Sequence, residues 1–400
     1  MKLFKMMTPP IKASVIALLA FSAFADGTYN GSWIGLSGKV TIPAGVTAPV
    51  TATELADFAN VTGIAFADAE GAVTASGLTA ELVLNAELSG EGAFAVSGCT
   101  KVTINSNNKA FAGRFAFNNT PVYVSKRYGL GSAAEGDGNC VLTTEAPASG
   151  TSKMDIVFTG TGDDLRLEND ITATNPLKIS PESTTDILII NANLTQQSKN
   201  QNINFANKVR MEGGTLGNAA NMTHFYSNVG ASGEFWLDEN ATVSTASSIY
   251  WGSGGGTFHL KGTLKFGSNM GLYSGATFIC EKANVLDSVS FIYSGTANPK
   301  GRLDLNGFDQ TVKSIGFISG TVSGPNKFRI HGDTPAVLNI VPTTQNQHTD
   351  GAHLHFTGRV DVNFAPTGAG RNPDNWFVAD VVDGTGTDIS TSKGTFTVSD

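Results

Sequence analysis

One short pattern of apolar and polar positions recurs along the chain: glycine, any residue, an apolar residue, any residue, and a second apolar residue. Copies begin at Gly92, Gly113, Gly233, Gly256, Gly262, Gly301 and Gly394. Such alternation is typical of a β-strand that buries one face, and the preceding glycine supplies a turn. Because the first two copies start 21 residues apart and the copies at 233 and 256 start 23 apart, the pattern predicts a repeat of about 20 residues.

A strand that buries only one face is unstable alone, so the repeat predicts coils that stack in parallel register around one core. We therefore expect an all-β fold, a parallel β-helix (solenoid) with irregular loops and a short N-terminal cap. A helix is expected only near Thr53 to Asn60. Strands are expected at Leu82 to Leu88, Lys101 to Ile104, Ile187 to Ile190, Phe328 to Ile330 and Val360 to Phe364.

Two other all-β architectures also give alternating strands. Sandwich or barrel domains would have to number two or more in a chain of this length, and no Pro-rich or charged linker divides it. A propeller would need blade repeats of about 40 residues with an aromatic signature, and no such signature is visible. The repeat therefore favours the solenoid.

The stretch from Gly301 to Gly316 shows what one rung of the solenoid would look like. Leu303 and Leu305 are expected to point into the core, while Arg302, Asp304 and Asn306 face solvent. Asn306-Gly307 is expected to form a corner, because both residues tolerate positive φ. Val312 and Ile315 have opposite parity, which predicts a bend or bulge between them.

The residues LDLNGFDQTVKSI, from Leu303 to Ile315, also closely resemble the autotransporter-associated β-strand repeat. The match extends over about thirty residues, Gly301 to Ile330. The resemblance implies a right-handed parallel β-helix, exposed at the bacterial cell surface as the passenger of an outer-membrane autotransporter. For a passenger it also implies a C-terminal translocator, which would lie outside this chain; the alternative is a free secreted relative. The positions that carry the motif are Leu303, Leu305, Asn306, Gly307, Gln310, Thr311 and Val312.

The N-terminal residues are typical of a secretory signal peptide. Lys2, Lys5 and Lys12 precede or begin an apolar run, and Ala23-Phe24-Ala25 supplies the small residues of a cleavage site. We therefore expect a signal peptide at 1–25 and a secreted or cell-surface protein. The remaining chain is interpreted as an N-terminal cap with the first strands at 26–80 and a β-helical, passenger-like domain at 81–400.

Charge and cysteine content narrow the choice of partners. Without the three leader lysines, 23 basic residues stand against 34 acidic ones and no basic cluster stands out, so nucleic acid is not an expected partner. The three cysteines show no zinc-binding spacing. Export would permit a Cys99–Cys140 bridge, and burial as small apolar residues is the alternative.

Catalytic signals are weak. Asp163-Asp164, with Arg166 two residues on, is the best acidic cluster, but adjacent residues of a strand point to opposite faces. Arg329-Ile330-His331 faintly resembles the basic motif of polygalacturonases, whose other signatures are absent. We expect Asp163-Asp164 to be a solvated turn and the protein not to be an enzyme. The alternative is a carbohydrate-active β-helix enzyme, a polysaccharide lyase or glycoside hydrolase.

Metal-binding signals are equally weak. His353 and His355 share one strand face, with His348 and Asp350 nearby, but a clear third ligand is missing. Gly160 to Asp164 and Asp383 to Asp388 resemble calcium turns without the tandem repeat that would support them. We expect no metal and no cofactor.

The remaining interpretation is a structural or adhesive protein. Exposed aromatic residues on a solenoid surface could bind an extracellular glycan or a host surface protein, and the pairs Tyr250-Trp251 and Phe225-Tyr226 are candidates. The same rings could instead belong to the core or to loops. A pure spacer, which holds another domain away from the cell, is a further possibility.

Overall fold

A computed structural model shows a parallel β-solenoid of about 10 turns, in which strands account for 57% and helices for 3%, so the expected fold class is confirmed. The structure describes residues 26–131, 140–143, 154–174, 176–197, 202–218, 224–227, 232–245, 248–251, 255–266, 269–272, 276–287, 289–293, 302–317, 328–341, 354–364 and 396–398.

Each coil contributes to as many as three lateral faces, and every strand pair is parallel. Face 1 contains β1 (Gly27–Thr28), β2 (Gly38–Ile42), β4 (Val61–Phe66), β7 (Glu87–Ser89), β14 (Arg166–Leu167), β17 (Ile187–Asn191), β24 (Gly256–Leu260), β27 (Ala276–Cys280) and β29 (Arg302–Asp304). Face 2 contains β3 (Thr47–Val50), β5 (Ala72–Ser76), β8 (Ala93–Ser97), β10 (Arg114–Asn118), β12 (Cys140–Thr143), β15 (Ile171–Ala173), β18 (Leu194–Gln196), β25 (Thr263–Phe266) and β33 (Phe396–Val398).

The third face and the corner-crossing strands complete the coils. Face 3 contains β6 (Leu82–Leu84), β9 (Val102–Ile104), β11 (Val122–Val124), β13 (Met154–Phe158), β16 (Leu177–Pro181), β19 (Ile203–Phe205), β21 (His224–Ser227), β23 (Ser248–Trp251), β26 (Asn269–Leu272) and β28 (Val289–Tyr293). Longer strands bend at a corner and serve two faces: β20 (Lys208–Asn218), β22 (Glu234–Thr245), β30 (Gln310–Phe317), β31 (Phe328–Ile340) and β32 (Leu354–Phe364).

The core is built from columns of apolar side chains that lie in register on successive coils. On face 1, Phe235, Phe258, Phe278, Leu303 and Ile330 are direct neighbours from coil to coil, and none is more than 1% exposed. The rings of Phe258 and Phe278 stack with centroids 4.9 Å apart at an interplanar angle of 15°. The apolar positions of the alternating sequence pattern are therefore the buried ones, because successive coils place them at the same inward positions.

The rung at 301–316 matches most of its expected geometry. Leu305 is fully buried, and Asn306 and Gly307 make the corner with φ values of 50° and 80°. The pairing of β28 with β30 skips one residue between Val312 and Ser314, which is the expected bulge.

The outer side of this rung is less exposed than expected. Asp304 alternates with buried Leu303 and Leu305 as expected, but its side chain is only 16% exposed. It lies against the guanidinium of Arg302 and accepts a hydrogen bond from the backbone N–H of Asn306 at 2.9 Å. The carboxylate therefore anchors the corner, a contact that strand alternation alone does not predict.

The N-terminal end of the solenoid is closed by a small aromatic cap. Trp33 is fully buried, meets Phe58 of α1 (Leu55–Phe58) edge-on with ring centroids 4.9 Å apart, and donates its indole N–H to Pro49 O at 2.9 Å. The expected short helix is thus confirmed. The division at residues 80 and 81 stays a prediction; the pairing of β5 with β8 runs across it.

A single carboxylate, Glu54, holds this cap together. It accepts hydrogen bonds from the hydroxyls of Thr51 (2.6 Å) and Ser32 (2.7 Å) and from the backbone N–H of Trp33 (3.0 Å). These donors, the Thr51 hydroxyl above all, lower the pKa of Glu54 to about 2 although its burial opposes the shift. Ionised Glu54 is therefore the form that the folded cap requires.

The proposed Cys99–Cys140 bridge does not fit the register. Cys140 pairs with Phe115, and Phe115 pairs with Phe94, so Cys140 lies two coils from Phe94, about 9.6 Å at the usual strand spacing. Cys99 is five residues further along its coil, and a disulfide needs Cα atoms within about 7 Å. Cys99 is a free, buried thiol, as the alternative interpretation expected.

We predict that Leu305→Ala costs about 2–5 kcal/mol, because it leaves a cavity in a packed column. The damage should stay local, since a solenoid is stabilised by contacts between neighbouring coils. Hydrogen exchange should rise around residues 276–341 while β5 and β8 stay protected. Asp304→Ala should cost only about 0.5–1.5 kcal/mol, the usual net value of a hydrogen bond. Equal, chain-wide destabilisation by both substitutions would contradict the rung.

We predict that Glu54→Gln costs about 1.5–3 kcal/mol near pH 7, the usual range for hydrogen bonds to a charged group. The folded-state pKa lies below the ordinary value of 4.5, so the stabilisation is present above about pH 4.5 and disappears as the pH falls towards 2. Local unfolding free energies at residues 38–58, from hydrogen exchange, should differ between wild type and variant at pH 7 and converge near pH 2. A difference that does not change with pH would contradict the assignment.

Candidate functional site

The residues of the repeat motif form a structural corner. Gln310 is fully buried; its side-chain oxygen accepts from Leu286 N–H at 3.2 Å, and its amide donates to Lys282 O at 2.8 Å. Thr311 donates its hydroxyl to the Asn284 side chain at 3.2 Å. These contacts join two successive coils, so Gln310 and Thr311 contribute to stability.

The acidic pair Asp163-Asp164 lies in a 3-10 helix, Gly162–Asp164, at a corner. Asp164 contacts Lys126 Nζ at 2.9 Å and accepts from the backbone N–H of Arg127 at 3.3 Å. The Lys126 ammonium is the main reason that the pKa of Asp164 is lowered. A carboxylate held in its ionised form by a lysine is a poor proton donor and an unattractive calcium ligand, so this turn gives no support to either role.

The histidine candidates give little support to a metal-binding or catalytic site. His353, His348, Asp350 and the segment Asp383 to Asp388 lie outside the described residues, and His355 and Arg329 are described only as paired backbone of β32 and β31. His331 contacts Asp333 of its own strand at 2.9 Å. The described part of the chain contains no group of three or more metal-ligating side chains.

The aromatic pairs Phe225-Tyr226 and Tyr250-Trp251 occupy neighbouring coils. Tyr226 pairs with Tyr250 and Ser227 with Trp251 in the β21–β23 ladder of face 3. The structure describes the backbone of these strands but not their side chains. Their role in binding therefore stays a prediction.

An ion-pair network that is centred on the buried carboxylate of Glu168 was not predicted from the sequence. Glu168, only 9% exposed, contacts Arg127 at 2.6 Å and Arg166 at 3.0 Å, and Arg166 also reaches Glu212 at 2.9 Å. Burial alone would raise the pKa of Glu168, but hydrogen bonds from Arg166, Arg127 and Asn191 hold it below its ordinary value. The network is saturated with mutual contacts, so it serves to join coils.

The outer surface of face 1 continues this network as a stacked column. The guanidinium of Arg210 lies 5.4 Å from the ring centre of Trp236, and the His259 ring stacks on Trp236 with centroids 4.9 Å apart. His259 Nδ1 lies 2.7 Å from Glu281 Oε1. Trp236 therefore has both ring faces covered and offers no free platform for a sugar ring.

Asp238 differs from the other carboxylates beside this column. It is half-buried, and its nearest cation is Arg210, with Nε 3.9 Å from the carboxylate. Burial raises the pKa of Asp238, and the nearby carboxylates of Glu212 and Glu281 add to the effect, against the opposing charges of Arg210 and Lys261. This is the group in the described chain that most resembles a proton-holding carboxyl.

A notch opens next to Asp238, at the corner between faces 1 and 2. β25 pairs with β22 on one side, but the following coil passes this position as the turn at residues 282–287, where Asn284 has a φ of 56°. The missing strand leaves a cavity of about 350 Å³. Its lining includes Glu239, Lys261, Leu264, Lys265, Lys282 and Val285.

The sequence did contain a signal for the notch. Lys261 and Lys282 are 21 residues apart, one residue more than the register of 20 between β24 and β27, so they fall close to each other at the corner of adjacent coils. The signal becomes usable only when the register between coils is known, because a single pair of lysines is common in any chain.

None of the helices in the described part of the chain has the length and apolar character that a membrane span requires. Comparison with protein-family models, with curated proteins and with solved structures gives no match.

Proposed function

We propose that this protein is a secreted or cell-surface β-helical protein with an adhesive role, whose lateral surface binds an extracellular glycan or a host surface protein. The single observation that carries the proposal is the notch beside β25. It interrupts the ladder of face 2 after β25 and combines charged groups with two apolar side chains, Leu264 and Val285, as binding sites for small polar ligands do.

Two features of the sequence support the same role. The leader at residues 1–25 is typical of exported proteins, and the stretch from Leu303 to Ile315 resembles the repeat of autotransporter passengers. Both favour a position outside the cell, where a long lateral surface is accessible to glycans and to other proteins.

A second candidate, a carbohydrate-active enzyme, is favoured by Asp238 alone. Glycosidases and lyases need one carboxyl that holds a proton near neutral pH beside a second group that stays charged. Asp238, with its raised pKa, and Glu239, whose pKa the neighbouring Lys282 lowers, are adjacent at the edge of the notch. The adhesive role remains the proposal because Glu239 lines the notch and Asp238 is not among its lining residues.

We predict saturable binding of the purified protein to at least one member of a panel of immobilised extracellular glycans and host surface glycoproteins. Ala283→Trp places a large ring in the notch and should weaken that binding about tenfold or more, equivalent to about 1.4 kcal/mol or more. Ala80→Trp is the matched control, because Ala80 is also exposed at a turn but lies on a distant coil. It should change the affinity by less than about twofold.

Three results would argue against the proposal. Absence of binding to the whole panel would leave a spacer role, and equal effects of both tryptophan substitutions would place the binding site elsewhere. Release of new reducing ends or unsaturated products, lost on Asp238→Asn, would establish the enzyme instead.

A further inference from the structure

The notch beside β25 carries a local charge opposite to that of the chain. The whole protein has a formal net charge of −8, whereas three lysines and two carboxylates, Glu239 and Asp287, line the notch and leave it at +1. A small anionic group is thus attracted to the notch, although the chain as a whole is negatively charged.

The three lysines are not equivalent. Lys282 is engaged by Glu239, with Nζ 2.6 Å from the carboxylate. The charge of Lys261 acts on Asp238, where it opposes the rise in pKa, and on Glu239, where it adds to the lowering of the pKa by Lys282. Lys265 is exposed and has no ion pair or hydrogen bond with any described residue. Lys265 is therefore the ammonium group best placed to meet an anionic ligand.

Two buried apolar side chains contribute to the lining of the notch. Leu264 and Val285 are each only 7% exposed, and they reach the notch from neighbouring coils. Saccharide rings have an apolar face of C–H groups and a rim of hydroxyls. The Glu239–Lys282 pair can accept and donate hydrogen bonds at such a rim, while Leu264 and Val285 would lie under the ring.

We propose that the notch binds a carboxylated sugar, a uronic or sialic acid unit of a glycan, with Lys265 as the partner of the carboxylate. This inference rests on the proposed adhesive function and names its ligand class. One excess positive charge matches one carboxylate per sugar. A heavily sulfated glycan would bring several charges towards Glu239 and Asp287, and the repulsion disfavours it.

Calorimetric titration of the full secreted chain with defined oligosaccharides tests the inference. The probes are trigalacturonate for a uronic acid, sialyllactose for a sialic acid, and fully methyl-esterified trigalacturonate, which keeps the ring and hydroxyls but has no charge. We expect saturable binding of at least one carboxylated probe and at least about tenfold weaker binding of the methyl ester, the effect of losing a charged hydrogen bond.

Variants locate the carboxylate. Lys265→Gln should weaken the same binding about tenfold or more, and Lys265→Arg should restore most of it, because arginine keeps the charge. Lys208→Gln is the matched control: it removes one positive charge from a half-buried lysine of face 1, three coils from the turn at 282–287, and should change the affinity less than about twofold. Unchanged melting temperatures show that the variants fold.

The outcomes separate this inference from the proposed function. If just one of the two carboxylated probes binds, that probe identifies the class of sugar, and the inference is supported. Equal binding of the methyl ester, or no effect of Lys265→Gln, overturns the inference but leaves adhesion intact. An acidic peptide is a further probe. If it binds more tightly than either sugar and Lys265→Gln weakens only the binding of the peptide, the inference is overturned. The open edge of β25 is then assigned to a peptide strand. Failure of every glycan and protein probe overturns both.

Discussion

The constraint on which the structure depends is parallel pairing of successive coils at one fixed spacing and in register. Neighbouring strands lie about 4.8 Å apart, close to the preferred separation of stacked aromatic rings. A column of like side chains therefore packs well both inside, as in Phe235, Phe258 and Phe278, and outside, as in Trp236 and His259. The same spacing lets charged groups such as Glu168 and Arg166 reach partners on other coils, Arg127 and Glu212.

At the corners, successive coils must keep this register without the hydrogen bonds of paired strands. Buried amides serve there: Gln310 links the turn at 282–287 to its own coil, and Asn108 does the same between Leu88 N–H, at 2.8 Å, and Gly129 O, at 2.6 Å. An amide can donate and accept at once, so it replaces a missing rung of backbone hydrogen bonds. Where the replacement is incomplete, beside β25, the ladder opens into the notch, and the candidate site is thus a consequence of how one coil makes its corner.

Local features of the fold could be predicted from the sequence because each depends on residues that are close together in the chain. The inward positions Leu303 and Leu305, the corner at Asn306-Gly307 and the bulge after Val312 follow from alternation and from the conformational freedom of two residue types. The Arg127 partner of Glu168 and the notch lining depend on side chains that lie on different coils. Sequence spacing alone does not reveal such contacts, since irregular loops make coil length vary.

The most direct test of the in-register stack is a set of distances along one column of face 2. Successive pairings connect Thr74 to Ala95, Ala116, Val141, Thr172, Thr195, Gly217 and Ser244. Two spin labels would be introduced on unnatural amino acids, so that the buried cysteines stay unmodified. One label replaces Thr74, and the other replaces Thr172, Thr195 or Ser244 in turn. Pulsed electron–electron double resonance should give distances between the two labels that increase with the number of coils, to about 19, 24 and 34 Å. Separations that fail to rise with the number of intervening coils would contradict the solenoid, and with it the placement of the notch.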